Sequence, residues 1–353
     1  MAALSRLAAV AALAALLAPA GPAAAAAAAG SARHGKAPAI GAPVILADAR
    51  RFDIISSVNH HHYAISIAFP STPPPRGGYA VLYVLDGYDY FASAVEAVRA
   101  SPKVPGVVVV GVGYPETKAF LTGVLARHQP LAPWFQGAPK ATVAVSLERL
   151  FDLTLPVSPE VLSAEATPGA PPPKGADIGG LDGFLQTLER DVKPRVEALT
   201  PIDRSNQAIF GHSLGGLAVL HALFTEPQAF RTYVAASPSI WWGGRSVLRD
   251  EAAFAKRVEH GAIEPRVLVT VGAQEEDFDA AAPRYGLDPQ AIEAQIHRQR
   301  MIGNARDLVA RLQALHGAAN YRVEDLAAFT GVGHVLSPWP ALGRAIAFAF
   351  PAP

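Results

Sequence analysis

Residues 211–217 read Gly-His-Ser-Leu-Gly-Gly-Leu and follow directly on the apolar run Gln207-Ala208-Ile209-Phe210. A serine set between Gly211 and Gly215, where a strand-like run stops and a helix-like run (214–223) begins, has the spacing of a nucleophile elbow. Glycines without a Cβ let the chain turn sharply there and leave the Ser213 hydroxyl exposed. A serine hydroxyl is a weak nucleophile at neutral pH, so it needs a base within hydrogen-bond reach, usually a histidine oriented by a carboxylate. The chemistry to look for is therefore acyl transfer through a covalent serine intermediate.

Of the 11 histidines, His260, His297, His316 and His334 come after the elbow and its helix. Only His334 sits in a glycine-flanked loop, Thr330-Gly331-Val332-Gly333-His334, between an expected last strand and an expected last helix. That position agrees with the chain order serine, acid, histidine. His297 falls in a basic helical stretch and His316 closes a helix. For the acid, the strand-like run 266–271 ends in Gly272-Ala273-Gln274-Glu275-Glu276-Asp277, where an acid-bearing loop belongs. Glu275 is the first candidate; Glu276 and Asp277 compete with it, and all three also read as a solvated acidic turn. Charge developing on a tetrahedral intermediate needs preorganised donors. The backbone amide of Leu214 supplies one, and the loop Leu85-Asp86-Gly87-Tyr88 offers the amide of Tyr88 as the second, with Gly87 permitting close backbone approach. Asp86-Gly87 equally reads as an ordinary turn.

Elements that could position these groups alternate along the chain. Runs 52–58 and 63–69 flank Asn59-His60-His61-His62 and predict a hairpin. Consecutive histidines in a turn point in different directions, so no metal is expected there. Runs 80–85 and 106–112 are continuous and β-branched, with a helix-compatible stretch 88–99 between them, which makes a βαβ unit. The chain then wanders through 119–140, and 156–178 reads as an irregular Pro-rich excursion. Leu181, Phe184, Leu185, Leu188, Val192, Val196 and Leu199 form one helical stripe with Pro194 as a break. Further strands are expected at 232–236, 266–271 and 321–326, and helices at 289–315 and 340–350. The alternation predicts a doubly wound α/β domain, with a mostly parallel sheet, helices on both faces and functional loops at the carboxyl ends of the strands.

Residues 1–30 carry one early positive charge (Arg6), an apolar run 7–17, Pro19 and an alanine-rich exit, the pattern of a cleaved secretory signal. A flexible linker at 31–50 and a catalytic domain at 51–353 follow from composition, and a periplasmic or secreted location is expected. Without cysteine the exported chain forms no disulfide and carries no cysteine-linked lipid. No later segment is long enough to span a membrane. Thirty basic against 30 acidic residues, with no basic run, point away from nucleic acid and towards a small-molecule ester. The chemistry needs no metal or organic cofactor.

Tyr83-Val84-Leu85-Asp86-Gly87, Val110-Gly111-Val112-Gly113-Tyr114, Arg149 with Asp152-Leu153-Thr154, Gly211 to Leu217, and Ser237-Pro238-Ser239-Ile240-Trp241-Trp242 together resemble the esterase D-like α/β-hydrolases. The branch they are most similar to contains the siderophore esterases that hydrolyse enterobactin- and salmochelin-type trilactones. The resemblance spans about residues 52–350 and implies an α/β-hydrolase fold, Ser213 as nucleophile, His334 as base and an oxyanion held by the amides of Tyr88 and Leu214. It implies a ferric siderophore as one candidate substrate beside simpler short-acyl or phenolic esters. Acyl transfer to an alcohol uses the same groups, and a non-catalytic binding protein of the same fold is a third possibility. Arg149 would lie near the pocket, where a planar cation can meet a carboxylate or catecholate oxygen, and Trp241 would line the substrate wall. Both also have structural readings, a guanidinium tying loops and an indole covering the sheet edge. Leu155 interrupts the family's Asp-Leu-Thr-Pro run, and its acid loop varies among members.

Overall fold

Seven-residue runs of Val, Leu and Tyr with no polar alternation need cover on both faces, and they form the middle of one mostly parallel sheet. The computed structural model describes residues 45–101, 104, 106–127, 139–165, 177–277 and 289–351. The expected signal, most of the linker and the middle of the Pro-rich excursion lie outside the described residues.

Strands β1 (Ala49–Ile55) and β2 (His62–Ala68) make the hairpin, paired Ala49 to Ala68 and Ile55 to His62. β3 (Tyr79–Leu85), helix α1 (Gly87–Arg99) and β4 (Val107–Gly113) form the βαβ unit. Helices α2 (Lys118–Arg127), α3 (Lys140–Asp152) and α4 (Pro159–Glu165) follow, then α5 (Leu181–Thr187) and α6 (Lys193–Glu197). β5 (Ile202–His212) leads into α7 (Leu214–Thr225), and β6 (Thr232–Ala236), α8 (Glu251–Glu259) and β7 (Arg266–Gly272) come next. The chain ends with α9 (Pro289–Gln299), α10 (Met301–Gln313), the short strands β8 (Arg322–Val323) and β9 (Ala327–Phe329), and α11 (Pro338–Ala349).

The sheet order is β1-β2-β4-β3-β5-β6-β7-β8, with β9 also on β7, and only the β1–β2 and β2–β4 pairs are antiparallel. From β3 the chain steps outward to β4 and later returns to the other side of β3 as β5. Strand order therefore reverses between β4 and β5, and the loops leaving β3 and β5 open side by side, the place where α/β sheets bind ligands. Alternate residues feed two cores. Leu82, Val84, Phe210 and Val234 meet α1 and α11 on one face, and Val81, Tyr83, Ile209 and Tyr233 meet Leu147, Leu181, Leu217 and Leu308 on the other. α7 is buried from Leu214 through Phe224 and apolar there except for His221, so it runs through the second core.

Several expectations change. The stretch 119–140 begins with α2, and the Pro-rich excursion contains α4 before it returns at Asp177. Its return is clasped to α3: Gly180 N–H donates to Phe151 O at 2.9 Å, and Leu181 N–H to Thr154 O at 3.3 Å. The stripe 181–199 is broken by a π-turn at Leu188–Val192, just ahead of Pro194, whose ring cannot follow an ordinary helical turn. The helix expected over 289–315 breaks at Arg300, which takes φ 45°. β5 extends back to Ile202 through a polar, partly exposed half that carries no apolar signal. The single last strand becomes β8 and β9, and β9 is the piece that leads to His334. Among the described residues no helix is long and apolar enough to cross a membrane.

The hairpin is tied to α3 by His61, whose Nδ1 lies 2.9 Å from Glu148 Oε1 and 3.5 Å from Asp152 Oδ1, both carboxylates being buried. Arg127 donates to both Glu148 oxygens at 2.8 and 2.7 Å. The Asp152 and Glu148 carboxylates push the His61 imidazole up to about 9. A raised histidine stabilises the fold fully below its unfolded value near 6.5 and loses that contribution as pH climbs through 9. The thermal midpoint of the wild type is therefore expected to fall more steeply between pH 6.5 and 9 than that of His61→Asn. Parallel curves would contradict the tie.

Candidate active site

β5 and α7 meet with no room for a side chain between them, since a Cβ on Gly211 would lie 2.2 Å from the Gly215 carbonyl oxygen. The turn between them falls on Ser213 itself, at φ 60° and ψ −115°, a conformation costing about 1–3 kcal/mol in a non-glycine residue. The glycines serve backbone contact, and the serine carries the left-handed twist. Three hydrogen bonds hold it: Ser213 N–H donates to Ala236 O at 3.0 Å, and Ser213 O accepts from Leu217 N–H at 2.9 Å and Ser239 N–H at 3.0 Å.

β9 pairs Gly272 with Phe329, and Gln274 N–H donates to Val332 O at 3.0 Å, which lays the His334 loop along the loop after β7. Ser213 Oγ lies 3.0 Å from His334 Nε2, and His334 Nδ1 lies 2.9 Å from Glu275 Oε2. Glu275 Oε1 accepts from Gly272 N–H and Ser237 Oγ, each at 2.5 Å, and its side chain is fully buried. Of the two competing carboxylates, Glu276 turns away and accepts Gly303 N–H at 2.9 Å at the start of α10. Asp277 continues the turn, its N–H donating to Gln274 O at 3.2 Å. The arrangement can pass a proton from a serine hydroxyl to an imidazole whose far nitrogen faces a carboxylate.

Tyr88 is the second residue of α1 and Leu214 the first of α7, so neither N–H has an acceptor within its own helix. Both helices start at the carboxyl ends of adjacent strands, where their partial positive charge favours an anion. Gly87 is packed against β4, and a Cβ there would lie 2.6 Å from Gly111 C. Tyr88 itself is 53% exposed at the mouth.

Arg149, expected near the pocket, lies buried beside the elbow, and its Nη1 has no hydrogen-bond partner among the described residues. It is 6% exposed, its Nε and Nη2 donate to Asp86 Oδ1 at 2.8 Å and Oδ2 at 2.9 Å, and Nη2 also reaches the His212 carbonyl at 3.1 Å. Burial works against the charged guanidinium, and the Asp86 carboxylate more than offsets it, leaving Arg149 above its ordinary value. The side chain ties the α1 loop to the end of β5. Trp241 is half-buried against the second core, its ring 5.8 Å from that of Trp242. The turn that follows is held by Glu165 of α4, which accepts Gly243 N–H at 2.8 Å and Gly244 N–H at 2.6 Å.

Other groups at the site are not singled out by their sequence context. Asp86 is the anchor of Arg149 as well as a turn residue. His212, Ser237 and Ser337 lie buried behind His334 and Glu275. His212 sits inside the elbow motif, a position that could have drawn attention, whereas Ser337 precedes a helix that begins Pro-Trp-Pro and looks like a plain cap. Among the described residues no group of three or more histidine, cysteine or acidic side chains could hold a metal ion.

Residues 174–324 match the Esterase family model. The chain is 35% identical over 304 residues to the ferri-bacillibactin esterase BesA of Bacillus subtilis, covering 84% of this chain and 88% of that one. It is 31% identical over 303 residues to the siderophore triacetylfusarinine C esterase of Aspergillus fumigatus, with 83% and 89% covered. Among solved structures, the BES protein from Bacillus cereus matches with a TM-score of 0.68 at 28% identity, over 88% of this chain and 99% of that one. Fold and relatives define a serine hydrolase of ester bonds built on the α/β-hydrolase fold. Within that class, the chain belongs to the esterase family that includes these siderophore esterases.

Because Lys cannot reproduce a bidentate fork, Arg149→Lys is expected to loosen Asp86 and the Tyr88 amide and to lower kcat by about ten- to a hundred-fold with little change in KM. Steady-state kinetics on any accepted ester checks this. A loss confined to KM would return Arg149 to the substrate.

Proposed function

We propose that the protein is an exported esterase that cleaves siderophore esters through an acyl-enzyme on Ser213. The observation that carries the mechanism is the line of contacts from Ser213 Oγ through His334 to the buried Glu275 carboxylate. His334 Nε2 takes the Ser213 proton as Oγ attacks the ester carbonyl carbon. The oxyanion gathers at the Leu214 and Tyr88 amides, and Glu275 holds the imidazole in the tautomer that leaves Nε2 free to accept. Collapse breaks the ester C–O bond, and the departing alkoxide takes the proton from His334. Water then attacks the acyl carbon, gives a proton to His334, and the acid leaves as Ser213 recovers its hydrogen.

The substrate class rests on the relatives, whose names specify ferri-bacillibactin and triacetylfusarinine C. Any iron travels as the substrate's cargo and takes no part in the bond cleavage proposed here. Export rests on the amino-terminal pattern of Arg6, the apolar run 7–17 and the alanine-rich exit.

The test is the rate of cleavage of a ferric tricatecholate trilactone beside a p-nitrophenyl acyl ester, with product masses read directly. Trilactone cleavage well ahead of the simple ester supports the substrate; cleavage of the simple ester alone discards the siderophore and keeps the mechanism. Ser213→Ala is expected to lose on the order of 10⁴-fold or more in kcat with the fold intact. Glu275→Gln is expected to lose on the order of 10³-fold, because Glu276 is committed to α10 and cannot substitute.

A further inference from the structure

Behind Glu275 and His334, buried hydroxyl and imidazole groups form a continuous row. Tyr90 Oη lies 3.1 Å from His212 Nδ1. His212 Nε2 lies 3.1 Å from both Ser337 Oγ and the His334 carbonyl oxygen. Ser337 Oγ is 2.7 Å from Ser237 Oγ, and Ser237 Oγ is 2.5 Å from Glu275 Oε1. Ser237 and Ser337 have no exposed surface, and His212 is 4% exposed.

Each of these groups has one proton to give, and the carboxylate sets the direction at its end of the row. A carboxylate only accepts, so the Ser237 proton points at Oε1. A hydrogen bond in the 2.7 Å contact then uses the Ser337 proton, which the His334 carbonyl oxygen, 2.9 Å from Ser337 Oγ, also accepts. Ser337 accepts in turn from His212 Nε2–H, which also reaches the His334 carbonyl, and the bare Nδ1 accepts from the Tyr90 hydroxyl. The Ser337 proton is shared between Ser237 Oγ and the His334 carbonyl, and the arrangement requires His212 to be neutral. Burial, with the charges of His334 and Arg149 added, keeps the His212 imidazole well below its ordinary value. The neutral form also suits its place, its ring centroid being 4.7 Å from that of His334.

The backbone supports the same end. Ser237 takes φ 43° and donates its N–H to Thr270 O at 2.7 Å. Ser337 opens α11, and His212 is the residue before the nucleophile. Ser237 Oγ and Gly272 N–H thus meet at one carboxylate oxygen, with Ser337 and His212 packed behind Ser237. A free glutamate side chain has several rotatable bonds to order, and tying Oε1 with two donors leaves one orientation for Oε2.

Resting on the reading of Ser213, His334 and Glu275 as the reacting set, we propose that Ser237, Ser337 and His212 are positioning residues that clamp Glu275 Oε1 and so aim Oε2 at His334 Nδ1.

Turnover of an accepted ester is measured for wild type, Ser237→Ala, Ser337→Ala, Glu275→Ala and the Ser237→Ala/Glu275→Ala pair, with Ser213→Ala alongside. Ser237→Ala is expected to lower kcat about ten- to a hundred-fold with KM within about twofold, and Ser337→Ala to do so less. Once Glu275 is alanine, the Ser237 substitution is expected to cost no more than about twofold, because its effect passes through the missing carboxylate. A Ser237 loss that persists undiminished in that background, falls on KM, or fails to occur overturns the proposal. Full activity in Ser213→Ala or Glu275→Ala would instead remove the underlying reading, and the proposal with it. Should Ser237→Ala not fold, the same cycle run with Ser237→Cys decides.

Discussion

Where β5 runs into α7, backbone touches backbone: the Gly211 Cα has the Gly215 carbonyl against it, and the residue between must turn within one peptide. Ser213 therefore sits at positive φ with its hydroxyl projecting from the carboxyl edge of the sheet. Such a conformation persists only when its surroundings over-determine it. Here the surroundings are β6, which accepts the Ser213 N–H, and α7, which is buried from Leu214 through Phe224. The elbow's strain is thus held by the core, and every other group of the site is arranged around a hydroxyl that cannot move far.

Charge around that hydroxyl is distributed with the same economy. Arg149 and Asp86 form a buried bidentate pair, and removing one partner of such a pair typically costs about 3–5 kcal/mol because the other is left uncompensated. The pair spans the two loops that carry the Tyr88 and Leu214 amides. His212, between Arg149 and His334, remains neutral, so the His334 ring has no second positive ring against it. The one carboxylate in line with His334 is supplied by the loop after β7, and the strand that brings histidine to it is only three residues long.

Much of this was legible in the residues. Continuous apolar runs announce β3, β4, β6 and β7 because buried parallel strands leave no polar face, and the elbow motif announces the β5–α7 junction. What escaped has a physical reason in each case. The outer half of β5 is polar and partly exposed, so it has no hydrophobic signature. The π-turn before Pro194 and the break at Arg300 are local backbone adjustments inside uninterrupted apolar patterns. Glu275, Glu276 and Asp277 cannot be separated by type or spacing; only the placement of α10, which claims Glu276, distinguishes them. The Asp86 partner of Arg149 is 63 residues away in the chain, so the pairing exists only in the fold. Ser237 and Ser337 are a hundred residues apart, and their apposition exists only in the folded chain.

The acyl-enzyme is tested most directly by treating the folded protein with a fluorophosphonate and locating the adduct by peptide mass spectrometry. A single covalent adduct on Ser213, formed by wild type and strongly slowed by His334→Ala, is the expected result. No adduct on folded protein, or an adduct on another residue, would contradict Ser213 as the nucleophile.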